Sequence, residues 1–184
     1  MVPRSDERPN CIGLQVDGKY MEGRCSTVAF LPGTLLEITT NVIDNATQET
    51  DLNQLPPFVK KNSVSGTPIV MVALEDRLGN TPTSIQGRTI DTAYVPLSGL
   101  DADAVDWYGG DVVGMVQPAP GDVLMCRVGT NSAFVVGALL KAHTDGTLIA
   151  QGGSGTGIAI AAETRNFNGV EQDVATPLLR VQFI

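Results

Sequence analysis

The chain has 184 residues, with 12 lysines and arginines against 20 aspartates and glutamates, a formal net charge of -8. That length supports one independently stable domain, with or without a tail; the negative sign repels phosphate and argues against a nucleic-acid partner. Charged residues are only 17% of the chain while Gly 20 and Pro 11 are plentiful, so short strands and tight turns are expected in place of helices.

The first ten residues are polar and no apolar h-region follows, so no signal peptide is expected. No apolar run approaches the length of a membrane span, which predicts a soluble product made in the cytoplasm, with no membrane partner. Cys11, Cys25 and Cys126 give neither a disulfide framework nor a CxxC knuckle, and are expected to be buried or incidental thiols. Residues 1–28 carry Arg4, Asp6, Glu7, Arg8, Asp17, Lys19, Glu22 and Arg24 with two prolines, a composition that predicts an extended arm. Ile12, Leu14 and Val16 alternate, so part of this arm could pair as a strand at a free edge. A frayed terminus is the alternative.

Residues 29–184 form the predicted body. Pro32-Gly33 marks a turn, and the run Thr34 to Thr40 is rich in strand formers. Asn41 to Pro57 is polar and reads as a long loop. Phe58 to Asn62 is a short element, with Gly66 downstream, and Ile69 to Glu75 is a continuous apolar run suited to a strand covered on both faces. Leu78 to Thr92 reads as an excursion or hairpin, and Leu100 to Asp106 is acidic.

Tyr108 to Leu148 is the organising stretch, in which turns alternate with apolar runs. Gly110-Asp111 and Pro120-Gly121-Asp122 are followed at once by Val112-Val113 and Val123-Leu124-Met125. Pro120 presets φ at the second turn position and Gly121 takes the positive φ that follows. Asn131-Ser132 and Asp145-Gly146 punctuate the later units, so the pattern predicts a β-meander. A helical turn over Ala133 to Lys141 is weakened by Gly137 and the valines beside it. Beyond the Gly152 to Gly157 tract, Ile158 to Glu163 reads as strand. Leu179, Val181 and Phe183 alternate with Arg180 and Gln182 in a terminal strand that needs a partner in the sheet.

Four features resemble reactive sites and each has a plainer reading. Gly153-Ser-Gly155-Thr-Gly157 lacks the Lys-Ser or Lys-Thr of a phosphate loop and reads as a flexible hairpin or loop. Ile90-Asp91-Thr92-Ala93 resembles the motif of a dimeric aspartic protease, but Ala93 stands where the tight turn needs glycine. Asp101, Asp103 and Asp106 lack the central glycine and distal glutamate of a calcium loop. His143 is the only histidine, with Asp145 as its nearest orienting group. Trp107 reads as a core or interface anchor. The expectation is a scaffold with no catalysis, no metal and no cofactor; an Asp91 protease and a glycan-binding surface module are the rivals.

The order of the turn motifs resembles the head decoration, or cement, proteins of tailed double-stranded-DNA bacteriophages, from about Phe30 to the C-terminus. The succession is Leu31-Pro32-Gly33, Phe58-Val59 with Gly66, Tyr108-x-x-Asp111-Val112, and Pro118-x-Pro120-Gly121-Asp122-Val123. Val136-Gly137-x-Leu139-Leu140, Asp145-Gly146-x-Leu148, the strand Ile158 to Glu163 and a terminal Leu179-Arg180-Val181 complete it. The loops at 41–57 and 152–157 depart from the pattern. The resemblance implies a mainly β domain, a small barrel or sandwich of the β-tulip kind, that trimerises on the outer surface of the virion and locks the major capsid protein lattice. It also implies an N-terminal arm that orders on the capsid, with Arg4, Arg8, Tyr20 and Arg24 as its contact residues.

Overall fold

A computed structural model describes residues 12–25, 28–38, 57–67, 70–74, 93–94, 112–129, 132–168 and 177–184. These residues form strands and turns with no helix among them; the fold is mainly β, built from a closed barrel and a curled sheet. The barrel runs β2 (Lys19–Cys25), β4 (Phe58–Lys61), β3 (Leu35–Ile38), β5 (Met71–Ala73) and β6 (Val112–Gln117). Its longest seam pairs β2 with β6 from Lys19 opposite Gln117 to Arg24 opposite Val112. Cys25, Leu36, Val59, Met71, Val113 and Met115 fill the interior. Tyr94 joins them, its ring 5.6 Å from that of Phe30 and its hydroxyl donating to the Leu74 carbonyl.

The second sheet has the order β1 (Gly13–Gln15), β7 (Val123–Arg127), β13 (Leu178–Phe183), β11 (Ala159–Ala161), β9 (Leu139–Ala142) and β10 (Leu148–Ala150). It curls until Val128, just past β7, bridges Leu148 on β10. A two-stranded ribbon of β8 (Ala133–Phe134) and β12 (Arg165–Asn166) closes one side, with Phe134 edge-on to Phe167. The terminal strand β13 is paired on both sides, by β7 and β11.

The two bodies share a wall. Side chains alternate across a strand, so Leu36, Met71, Ala73 and Met115 enter the barrel core while Leu35, Val72 and Val116 enter the core of the second sheet. This is why the run beginning at Ile69 is almost wholly apolar: β5 is buried on both faces.

The turns carry the glycines into positive φ: 85° at Gly33, 71° at Gly66, 99° at Gly121, 85° at Gly137 and 79° at Gly146. In the Ala119–Asp122 turn, Pro120 precedes Gly121 and the Asp122 amide donates to the Ala119 carbonyl at 3.1 Å.

Two expectations need correction. The apolar runs between residues 112 and 148 do not form a meander. The chain leaves the barrel at β6, turns at Ala119–Asp122 and enters the other sheet as β7; of the strands from β6 to β10, only β9 and β10 pair as sequence neighbours. In keeping with the weakness that Gly137 and the valines gave a helix over 133–141, Gly137 forms a turn between β8 and β9 there. The arm predicted over residues 1–28 is not an arm beyond residue 11. Ile12 and β1 lie along β7, and β2 is a stave of the barrel with Gly23, Arg24 and Cys25 buried. Charge on exposed positions of β2 gave the segment its disordered composition; main-chain pairing on both sides overrides it.

Candidate functional site

The polar side chains that the fold buries are turned to main-chain groups. Asp122 lies where the β1–β2 connection meets the turn before β7. Its carboxylate accepts from the amides of Asp17 (2.7 Å), Gly18 (3.0 Å) and Ala119 (2.8 Å). Arg127, also buried, donates from Nε to the Pro32 carbonyl at 2.9 Å and from its amide to the Gly33 carbonyl, tying β7 to the Leu31–Thr34 turn.

A second group sits where the β9–β10 hairpin meets the barrel. Asn62 is fully buried, and its Nδ2 donates to the carbonyls of Val64 (2.7 Å) and His143 (2.9 Å). The Leu35 amide donates to the Gly146 carbonyl, and the Gly66 amide to that of Ala142. His143 Nδ1 lies 2.9 Å from Asp145 Oδ1, which also accepts from the Thr147 hydroxyl and amide. Partial burial alone would raise the Asp145 carboxyl; the bonds from Thr147 and His143 outweigh it and hold the group below its ordinary value. Glu37 behaves alike: burial opposes its charge, but Ser63 and Lys60 (3.1 Å) bring it below the ordinary value.

This arrangement holds two bodies together. His143 turns Nδ1 to the Asp145 carboxylate. Cys25 and Cys126 are buried, and burial pushes the Cys126 thiol far up. Among the described residues no three His, Cys, Asp or Glu side chains converge where a metal ion could sit. The Gly152 to Gly157 tract is a tethered loop: Lys141 Nζ donates to the Ser154 carbonyl at 2.8 Å and Gln151 Nε2 to that of Gly155 at 2.7 Å.

Of the residues implied as capsid contacts, Tyr20 is 62% exposed on β2 and Arg24 is buried on the same strand, so the two do not form one surface. Arg4, Arg8, Asp91 and Asp111 lie outside the described residues, as do Asp101, Asp103, Asp106, Trp107 and Tyr108. Pro32, Gly33 and Gly66 stand at the joint between barrel and sheet, Pro120, Gly121 and Asp122 at the crossing from one to the other.

Two surface features remain. Val135 and Val136 are 63% and 60% exposed at the tip between β8 and β9, with Leu139 beside them at 40%. The tip is fixed: Ala138 donates to the Val135 carbonyl, Gly137 to that of Ala161, Ala161 to that of Ala138, and Val136 to Thr164 Oγ1. Sequence reading missed it because two valines before a glycine look like strand; the signal was the lack of charge around them.

The second feature is the partition of charge. β5 ends and β6 begins at one end of the barrel, while β3, antiparallel to both β4 and β5, ends where β4 begins, at the other. The segments joining these ends, 39–56, 75–92 and 95–111, hold ten acidic residues against Arg77 and Arg88, a net of -8 that equals the whole chain's. The rest of the chain is balanced.

No protein-family model matches this chain, and no curated protein matches it.

Proposed function

We propose that this chain is a capsid decoration protein, a homotrimer that sits on the outside of a tailed-phage head and stabilises the major capsid protein lattice by binding alone, without a cofactor. The order of turn motifs in the sequence supports this reading. The observation that carries it is the division of labour among side chains: Asp122, Asn62 and Arg127 are engaged with the scaffold's own main chain, while a rigid turn presents Val135 and Val136 to solvent. A fold that fixes its own polar groups and displays apolar ones acts by contact. Binding only the expanded shell would stabilise that shell by mass action. Linking several footholds in one trimer would slow its departure. The arm of the original expectation narrows to residues 1–11, which carry Arg4 and Arg8.

The deciding experiment mixes purified protein with undecorated, expanded heads. Saturable binding at symmetry-related surface positions, visible by electron microscopy, is the expected outcome. Absence of binding at micromolar concentration overturns the proposal.

A further inference from the structure

We draw no further inference here: the strongest candidate, the exposed apolar turn of Val135 and Val136 between β8 and β9, carries nothing beyond the contact role already proposed, because nothing in the structure shows what covers it.

Discussion

Asp122 is only 2% exposed, and its carboxylate accepts three main-chain bonds from two separate segments. Replacing it with alanine leaves the amides of Asp17, Gly18 and Ala119 without that acceptor. Bonds to a charged group are among the stronger ones, so Asp122→Ala should lose about 2–4 kcal/mol in urea denaturation. A loss below about 0.5 kcal/mol would remove Asp122 from its place as the clamp between the β1–β2 connection and the turn before β7. Acid should act through different carboxylates. Glu37 and Asp145 are both held below the ordinary value in the folded chain. Their contribution is therefore complete above the unfolded value, about 4, and is lost as pH falls through the folded values. With side chains 22% and 53% exposed, solvent screening keeps each contribution under about 1 kcal/mol. The Glu37→Gln/Asp145→Asn pair should flatten the fall in urea midpoint between about pH 5 and pH 3; an unchanged slope would count against both.

The turn glycines separate two kinds of strain within one class of element. Gly137 and Gly146 share nearly the same φ, yet a Cβ at Gly137 meets open space while one at Gly146 comes within 2.6 Å of Thr34 Cγ2 and 2.9 Å of the Leu35 carbonyl. Gly137→Ala should cost about 1–2 kcal/mol from backbone conformation alone, and Gly146→Ala clearly more, because the hairpin must withdraw from β3. Similar thermal shifts for the two would mean that the hairpin is not seated where Leu35 holds it. Truncation separates the terminal segment from the body. Removing residues 1–11 should leave a cooperative melt, whereas removing residues 1–25 should abolish it by taking β1 and the stave β2. Turns and strand sites were legible in the sequence because their causes are local: Pro120-Gly121 presets its own dihedrals, and the alternation at Leu179, Val181 and Phe183 marks a half-buried strand. Partners were not. Whether β6 continues to β7 or crosses to another sheet depends on Asp122 meeting amides some 105 residues away, and no window around either segment contains that information. The segment 12–25 was misread for a related reason, since the exposed Lys19, Tyr20 and Glu22 conceal pairing to β6 near the middle of the chain. Of the candidate contact surface, only the uncharged run around Val135 could be read beforehand, and its exposure could not.

At the scale of the whole molecule, barrel and sheet lean on the same three strands. Leu35→Ala and Leu36→Ala remove neighbouring side chains that enter different cores, and each should cost about 2–5 kcal/mol. Both should lower one and the same thermal transition, coincident by near-ultraviolet and far-ultraviolet circular dichroism. Two separated transitions in either variant would mean that the cores melt independently. The wall of β3, β5 and β6 works like the party wall between two houses, which neither owner can demolish alone. Neither chamber can empty while the other stands, so heat or denaturant should find no half-collapsed form to populate. For a molecule whose proposed task is to stay in place, partial loosening is thereby removed from the ways it can fail.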